Sequence, residues 1–393
     1  MVKSILDTDL YKFTTSYAYM KLYPNASGTF TFVDRNKRKY SAKEFSDIQM
    51  ALDDLSRVSL SDDELNWVVK NIKFIPQFYW EWLKQFRFDF SKIRIWLDSK
   101  DQLQITVTDK LYKVTLYEVP ILAIVSEIVS NKNTFTANAI FNAEIKPKLD
   151  KKLEIARKHN FTFSEFGTRR RFSCHTQDLL IKYLYDNGKD VCTGTSNVYF
   201  AYKNNWKVMG THPHEWFMFH GAQFGYKHAN YLAMTAWQDV YDGDLGIALT
   251  DTYGSDNFFA NFSKKLAKLF DGIRQDSGDE LVFADKAVAR YVEHGIDPLT
   301  KTIIFSNALT FHKAAMIADY CKGKIKYAFG IGTNLTNDID GTERSNIVMK
   351  LTECKMNDNA TPMECIKLSD DKGKHLGSDV EVATAKYVLG IKD

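Results

Sequence analysis

One pattern recurs along the centre of this chain, between residues 161 and 334. A short apolar run ends abruptly in glycine, hydroxyl or charged residues, and a stretch long enough for a helix follows before the next run. Such spacing indicates parallel strands joined by crossover helices. If these strands close into a (β/α) barrel, their polar ends gather on one face around one site, as in a barrel enzyme. The segments are FTFSEFGTRRR, DVCTGTSN, WKVMGTHPHEW, LGIALTD, FDGIRQDSGD, KTIIFSNAL and IKYAFGIGT.

The flanking segments have a different character. DTDLYKFTTSYAYMKLYP begins like a helix capped by aspartate, and SLSDDELNWVVKNI begins with a capping signal. GTFTFVDRN alternates like a strand, and IRIWLDSKDQLQITVTDKLYKVTLYEVP contains three alternating segments that predict three more strands. We therefore predict an N-terminal α+β domain at residues 1–125, completed by the strand-like tail at 345–393, and an α/β barrel domain at 126–344.

Composition narrows the possible partners. A net charge of +3 over 393 residues creates no field that attracts nucleic acid or a membrane surface. No apolar run approaches the roughly 18 residues of a membrane span, and the N-terminus lacks the apolar core of a signal peptide. The five cysteines are widely spaced without a CxxC motif, which is typical of reduced thiols. These features predict a soluble cytoplasmic protein without nucleic-acid or membrane partners.

Two of the polar strand ends favour an ionic substrate. In FGIGT, Gly330 and Gly332 allow the close backbone approach with which N–H groups surround an anion, although a plain glycine turn is equally compatible with the motif alone. RQDSGD gathers a guanidinium, two carboxylates and a serine, which suits a substrate rich in oxygens with Mg²⁺ bridging its phosphates. The alternative is a solvated loop in which Asp276 or Ser277 caps a helix.

Two further strand ends carry arginines and histidines. FGTRRRFS places three arginines in sequence, of which one or two can bind an anion while the others form salt bridges. His212 and His214 have the HxH spacing of some metal sites, but no third soft ligand follows. A histidine here can also transfer protons, accept a phosphoryl group, or be a hydrogen-bonded core residue, and the residues alone favour none of these. No nucleophile–base motif is present, so a substrate that supplies its own nucleophile fits best.

Seven motifs taken together resemble the nicotinate phosphoribosyltransferase family, from about residue 5 to the C-terminus. They are LDTDLYKF, FGTRRRFS, GTSN, GTHPHEWF, LGIALTD, RQDSGD and FGIGT, in this order. The resemblance implies an irregular (β/α) barrel of the type II phosphoribosyltransferases with an N-terminal sandwich-like α+β domain. It also implies a reaction of nicotinate with 5-phosphoribosyl 1-diphosphate that yields nicotinate mononucleotide and pyrophosphate for NAD biosynthesis. Coupled ATP hydrolysis, Mg²⁺ and a homodimer are implied as well.

The resemblance also assigns residues. His214 matches the histidine that ATP phosphorylates, and Asp276 is expected to face the ribose or Mg²⁺, so these two and Arg274 are the expected catalytic residues. The expected phosphoribosyl and phosphate ligands are Ser306, Gly330, Gly332 and Thr333. The expected nicotinate-binding residues are Tyr11, Phe166, Arg169, Ser196, Thr211 and Arg274.

Three of these assignments carry further expectations. Tyr11 and Phe166 are expected to stack on the nicotinate ring, with Tyr11 contributed by a neighbouring subunit. Ser196 stands where related nicotinamide enzymes carry an aspartate, and its uncharged hydroxyl should tolerate the nicotinate carboxylate. Many relatives read FSD where this chain reads FSN, so Asn307 replaces a carboxylate and a metal or ribose role there is in doubt.

Other functions remain compatible with parts of the sequence. A nicotinamide or quinolinate phosphoribosyltransferase of the same fold would share most motifs. A barrel glycosidase would account for the aromatic residues and carboxylates, but not for FGIGT or the arginines. An RNA-binding function would account only for the TRRR motif. An RNA-binding patch would also need more basic residues elsewhere than this near-neutral chain has.

Overall fold

The computed structural model describes residues 1–130, 137–342, 344–371 and 374–391. Its strands are β1 Ser27–Asp34, β2 Ile93–Leu97, β3 Leu103–Lys110, β4 Phe163–Glu165, β5 Cys192–Thr195, β6 Ile247–Leu249, β7 Gly272–Gln275, β8 Thr302–Phe305, β9 Lys326–Ile331, β10 Ile347–Lys355 and β11 Met363–Glu364.

The first nine α-helices are α1 Leu10–Leu22, α2 Ala42–Asp54, α3 Asp62–Asn71, α4 Gln77–Gln85, α5 Leu111–Val114, α6 Glu118–Ser130, α7 Ala137–Ile140, α8 Lys146–Lys158 and α9 Cys174–Asn187. The others are α10 Val198–Asn204, α11 His214–Phe224, α12 Ala229–Tyr241, α13 Ser255–Asn261, α14 Lys264–Leu269, α15 Glu280–Glu293, α16 Phe311–Cys321, α17 Thr333–Thr336 and α18 Asp379–Leu389.

The central sheet is parallel and has the order β5-β4-β9-β8-β7-β6. Helices α15 and α16 connect β7 to β8 and β8 to β9, as the alternation of apolar runs predicts. Six of the seven predicted strands are present, and all have their polar ends at the same edge of the sheet. Within the described residues β5 and β6 do not pair with each other, so the barrel is irregular.

The seventh predicted strand, in WKVMGTHPHEW, is wrong. The run makes an isolated bridge between Val208 and Thr195 and two flanking backbone hydrogen bonds beside β5. Gly210 and Pro213 follow this run directly and α11 begins at His214, so the pairing with β5 stops after one bridge.

The second sheet is antiparallel and has the order β11-β10-β1-β3-β2. Strand β10, from the C-terminal tail, pairs with β1 along its whole length, from Ser27 opposite Lys355 to Asp34 opposite Ile347. This sheet therefore joins both ends of the chain, as we expect of a discontinuous terminal domain, while the domain boundaries themselves stay a prediction.

Two local predictions near the N-terminus need correction. The third alternating segment is helical, because Leu111, Val114 and Tyr117 recur at intervals of three and are buried in α5 and the 3₁₀ turn after it. Asp9 does occupy the N-cap of α1, but its side chain makes no capping hydrogen bond. The capping signal at Ser61 is confirmed, since Ser61 and Glu64 form a reciprocal capping box.

The buried apolar residues of both sheets and their helices form one continuous core. All five cysteines are buried and none is in a disulfide. In the part of the chain that the structure describes, no helix is long and apolar enough to cross a membrane.

Candidate active site

Three adjoining cavities lie at the carboxyl ends of the parallel strands, and all three are lined by Arg169 and Asp276. The first also has Tyr11, Glu118, His214, Arg274 and Lys350 in its lining. The second has Phe166, Arg170, Arg274, Ser306, Gly330, Gly332 and Thr333. The third has Arg35, Arg170, His214, Lys350 and Lys367.

The centre of the site is the ion pair between Arg274, in β7, and Asp276, directly after that strand. Arg274 donates from Nη2 to Asp276 Oδ1 at 2.7 Å, from Nη1 to Thr211 Oγ1 at 2.7 Å, and from Nε to Ser306 Oγ at 2.8 Å. Burial alone would raise the pKa of Asp276, but Arg274 and His214 outweigh burial and hold that pKa well below its usual range. Asp276 is therefore an ionised carboxylate with fixed geometry, between the cavities.

Neither Asp276 nor Ser277 caps a helix, so the alternative based on a solvated loop is wrong. The N-cap of α15 is Asp279, whose Oδ1 accepts from the backbone N–H groups of Leu281 and Val282 at 2.9 Å. This leaves Asp276 available to the cavities.

His214 is the first residue of α11 and lies between Asp276 and the C-terminal tail. Its Nδ1 is 3.1 Å from Thr252 Oγ1, and its Nε2 is 3.0 Å from Asp276 Oδ2 and 2.9 Å from Lys367 Nζ. Burial, followed by repulsion from Lys367, lowers the pKa of His214 to about 4. The imidazole is therefore neutral near pH 7, which is the form that can act as a nucleophile.

His212 has a different environment. It is fully buried among Phe217, Trp237 and Phe270, with the Trp237 ring centroid 4.5 Å away. Neither ring nitrogen makes a hydrogen bond of good geometry with the described residues. Burial, with a smaller contribution from Arg274, lowers the pKa of His212 to about 3. Of the two histidines in the HxH motif, His212 is therefore a core residue and His214 belongs to the site.

The three consecutive arginines have separate roles. Arg169 lines all three cavities and lies 3.6 Å from Glu118. Arg170 lines the second and third cavities and donates from Nε to the carbonyl of Ile347. Arg171 is fully buried and makes a bidentate ion pair with Asp7, at 2.7 and 3.0 Å. Arg169 and Arg170 thus line the cavities, and Arg171 forms a salt bridge that is buried; anion binding by Arg169 stays a prediction.

The predicted ring-binding residues are only partly brought together. Tyr11 lines the first cavity and Phe166 the second, so within one chain the two aromatic rings do not face the same cavity. Thr211 contacts Arg274 directly. Ser196 is buried and donates to Asp9 Oδ1 at 2.7 Å. Ser196 itself is uncharged, as the sequence shows, but the carboxyl group of Asp9 lies directly beside it.

The predicted phosphate ligands lie around the second cavity. A Cβ at Gly330 would be 2.5 Å from the Phe166 ring, so this position requires glycine for the ring to pack there. Gly332 precedes α17, which begins at Thr333. Asn307 is not among the residues that line this cavity, and its amide reaches Gly278 and Glu280 only at 3.4 Å.

Several residues of the site were not predicted. Asp251 follows β6, accepts from Ser277 Oγ at 2.7 Å and from Lys367 Nζ at 2.9 Å, and ends the quoted motif LGIALTD, which was a usable signal. Lys350 and Lys367 come from the C-terminal tail, where no motif marked them. Burial lowers the pKa of Lys350 to about 7.

A carboxylate and imidazole cluster is the part of the site that can hold a metal ion. One ligand atom each from His214, Asp251 and Asp276 lies within 4.8 Å of the other two. Asp251 Oδ1 is buried and has no hydrogen-bond partner among the described residues. Carboxylate oxygens suit Mg²⁺, which binds through one or two carboxylates together with substrate phosphates. The cluster fits that mode, although Lys367 already contacts two of its members.

Comparison with known proteins identifies the family. The model of the nicotinate phosphoribosyltransferase family matches residues 161–391, and the model of its N-terminal domain matches residues 6–126. The chain belongs to the nicotinate phosphoribosyltransferase family. The resemblance inferred from the seven motifs is thereby confirmed.

Individual members of the nicotinate phosphoribosyltransferase family match the whole chain. The enzyme of that name from Chromohalobacter salexigens is 41% identical over 391 residues, covering 100% of this chain and 99% of the relative. The one from Methanosarcina mazei is 38% identical over 410 residues, covering 100% and 99%.

Solved structures of the family confirm the predicted fold class. The crystal structure of the nicotinate phosphoribosyltransferase from Porphyromonas gingivalis is 46% identical and superimposes with a TM-score of 0.93, covering 100% of both chains. That from Vibrio cholerae is 30% identical with a TM-score of 0.93, covering 100% of this chain and 95% of that one.

Proposed function

We propose that this chain transfers the phosphoribosyl group of 5-phosphoribosyl 1-diphosphate to the ring nitrogen of nicotinate, which gives nicotinate mononucleotide and pyrophosphate for NAD biosynthesis. The observation that supports this most directly is that Arg169, Arg274 and Asp276 line both the first and the second cavity. One cavity has an aromatic wall and the other a glycine-rich wall, so a base and a sugar phosphate can meet at these three charges.

Nicotinate is proposed to lie beside Tyr11, with its carboxylate near Arg169 and Arg274. Arg274 is held by three hydrogen bonds, and Thr211 is one of its partners, so the guanidinium is oriented before the substrate arrives. A preoriented guanidinium binds a carboxylate with strong charge-assisted hydrogen bonds. Since Tyr11 and Phe166 line different cavities of one chain, a homodimer in which a partner supplies one stacking ring remains part of the proposal.

The sugar phosphate is proposed to lie in the second cavity, against Gly330, Gly332, Thr333 and Ser306. The pyridine nitrogen attacks the anomeric carbon as its bond to the pyrophosphate oxygen breaks, so the electron pair leaves with pyrophosphate. Asp276, ionised and fixed, faces the positive charge that develops on the ribose. Asp276 and Asp251 would hold Mg²⁺, which offsets the charge of the leaving group.

ATP is proposed to phosphorylate His214 from the third cavity. The imidazole is neutral, and Lys367 lies 2.9 Å from Nε2, where an ammonium can approach a transferred phosphate. The phosphoryl group moves from ATP to a ring nitrogen, ADP leaves, and later hydrolysis restores the imidazole. Phosphorylation would favour a state that binds the substrates more tightly.

A direct assay tests the proposal. Purified protein, 5-phosphoribosyl 1-diphosphate and Mg²⁺ are mixed with nicotinate, nicotinamide or quinolinate, each with and without ATP, and the nucleotide product is quantified. We expect product from nicotinate and stimulation by ATP. Product from nicotinamide or quinolinate alone would assign a different substrate, and RNA retention at moderate salt without turnover would favour a binding protein.

A histidine variant tests the role of ATP. His214→Ala should keep basal transfer and lose ATP stimulation. His159→Ala is the matched control, because His159 is at the surface beside Asp319. Undiminished stimulation in His214→Ala would remove His214 from this role.

A further inference from the structure

A buried charge cluster in the wall of the first cavity, which Glu118 and Glu215 line, has no role in the transfer reaction as described so far. Lys12, in α1, is fully buried, and its Nζ contacts the carboxylates of Glu118 and Glu215. It also donates to Thr115 Oγ1 at 3.3 Å, and Thr115 Oγ1 donates to Glu215 Oε1 at 2.5 Å. A buried ammonium needs such partners, because desolvation without them is strongly unfavourable.

The cluster has contacts in three directions. Lys12 follows Tyr11 in sequence, and its Nζ lies 5.0 Å from the centroid of the Tyr11 ring. Glu118 lies 3.6 Å from Arg169 and lines the first cavity. Glu215 follows His214 in the first turn of α11. One ammonium thus links the aromatic wall, the arginine of the cavity and the helix that carries the histidine.

The charges of the cluster make it sensitive to movement of α11. Burial opposes the charge of Lys12, but Glu118 and Glu215 outweigh burial and raise its pKa above the ordinary value. The Nζ of Lys12 contacts the carboxylates of both Glu118 and Glu215, and Glu118 also lies 3.6 Å from Arg169. A single lysine cannot neutralise both carboxylates, so Arg169 compensates part of the negative charge of Glu118. A movement of Glu215 therefore changes how strongly Glu118 binds Arg169.

We infer that Lys12 is a positioning residue that couples the state of His214 to the nicotinate cavity. Phosphorylation adds negative charge next to Asp276 and moves the N-terminal turn of α11. Glu215 conveys that movement to Lys12, and Lys12 conveys it to Tyr11 directly and to Arg169 through Glu118. This inference rests on the proposed function, because it requires ATP to phosphorylate His214 and nicotinate to bind beside Tyr11.

The test is Lys12→Met, which keeps much of the side-chain volume and removes the charge. We expect the variant to be phosphorylated by ATP as the wild type is, measured by intact-protein mass spectrometry under conditions that preserve phosphohistidine. The ratio of kcat/KM for nicotinate with ATP to that without ATP should fall at least about 10-fold. The KM for 5-phosphoribosyl 1-diphosphate should change less than about 3-fold. A merely structural role would impair phosphorylation, the stimulation ratio and use of 5-phosphoribosyl 1-diphosphate together.

Lys301→Met is the matched control. Lys301 is also a buried lysine, with its Nζ 2.5 Å from the carbonyl of Phe270, but it precedes β8 at the end of the sheet opposite the cavities. This variant should lose stability without changing the ATP stimulation ratio. An equal fall of the ratio in Lys301→Met and Lys12→Met would overturn the inference.

A second variant decides the matter if Lys12→Met does not fold. Glu215→Met removes the link to α11 and leaves Lys12 paired with Glu118, so it should reproduce the loss of stimulation. When both single variants fold, the double variant should lose no more than either alone, because all three interrupt one connection. Full stimulation in the single variants, additive losses in the double variant, or loss of phosphorylation itself would each refute the coupling.

The wild type separates failure of the proposed function from failure of this inference. Absence of transfer from 5-phosphoribosyl 1-diphosphate to nicotinate would refute the proposed function and the inference with it. Transfer without any stimulation by ATP would refute the coupling and leave the transferase proposal standing.

Discussion

The folded protein should lose stability at acidic pH because it buries a neutral His212. The variant His212→Phe tests this expectation. His212 is fully buried in an aromatic cluster, with a pKa lowered from 6.5 to about 3. In the unfolded chain the same imidazole takes up a proton as the pH falls below about 6.5. The stability that depends on a neutral His212 is therefore present above pH 6.5 and is lost progressively as the pH falls toward 3.

Linkage gives the magnitude. Between pH 7.5 and pH 5.5 the unfolded imidazole becomes about 90% protonated while the folded one stays neutral, so His212 alone lowers the free energy of unfolding by about 1.4 kcal/mol. His214 and His220, each with a pKa lowered to about 4, add a similar amount each over the same interval. The three together remove about 4 kcal/mol, a large part of the 5–15 kcal/mol typical of a folded domain.

The assay is urea unfolding at pH 7.5 and pH 5.5, followed by tryptophan fluorescence, because Trp237 contacts His212. Phenylalanine does not titrate, so His212→Phe should lose about 1.4 kcal/mol less than the wild type between the two pH values. Any packing strain from the larger ring acts equally at both pH values and cancels. Phe217→Leu, next to His212, is the control that destabilises without titrating. An unchanged pH dependence in His212→Phe would refute the neutral buried state of His212.

Three further outcomes follow from contacts in the site. Arg274→Ala should raise the KM for nicotinate and lower kcat/KM by about 30-fold or more while circular dichroism stays unchanged, because removing one member of a buried charge pair is worth about 2–5 kcal/mol. Gly330→Ala should weaken use of 5-phosphoribosyl 1-diphosphate about 10-fold, since its Cβ would overlap the Phe166 ring at 2.5 Å. Lys367→Met should raise the pKa of His214 from about 4 toward its ordinary value, because it removes a repelling positive charge, seen as a shifted imidazole titration by NMR.

The sequence pattern predicted most strands of the parallel sheet, where short apolar runs and helix-length segments alternate along the chain. The apolar runs before Ser164, Arg274 and Gly330 became strands, because each is bounded by turn residues and followed by helix-length spacing. The run at Val208 makes only one bridge to β5, because Gly210 and Pro213 follow it before α11 begins. The run beginning at Leu111 alternates like a strand, but its apolar residues also repeat every three positions. It forms a helix because that spacing buries Leu111, Val114 and Tyr117 in the core.

Most of the cavity residues that the sequence predicted lie at the ends of barrel strands, and Tyr11 in α1 was predicted only through the family resemblance. Arg274 and Asp276 belong to the same short motif, RQDSGD, so the sequence alone shows that they are close together. Lys350 reaches the cavities through the pairing of β10 with β1, and Lys367 reaches them from the segment after β11. The strand-like tail was predicted to join this domain, but no local motif marks either lysine as a site residue. Asp9 resembles a helix cap by residue type, but the tertiary contact with Ser196 takes its carboxylate instead.

The position of Asp276 would allow the three proposed ligands to influence one another at this site. Its Oδ1 accepts from Arg274 and Ser306, and its Oδ2 lies against His214, so one carboxylate touches groups that line all three cavities. A phosphate on His214 would place like charges side by side, which is unfavourable in a buried site. Asp276 would then bind more closely to the cation on its other side, Arg274, which faces the proposed nicotinate and phosphoribosyl cavities. This contact of Asp276 with Arg274 would add to the proposed coupling between His214 and the two substrates, and would by itself leave only a residual stimulation in Lys12→Met.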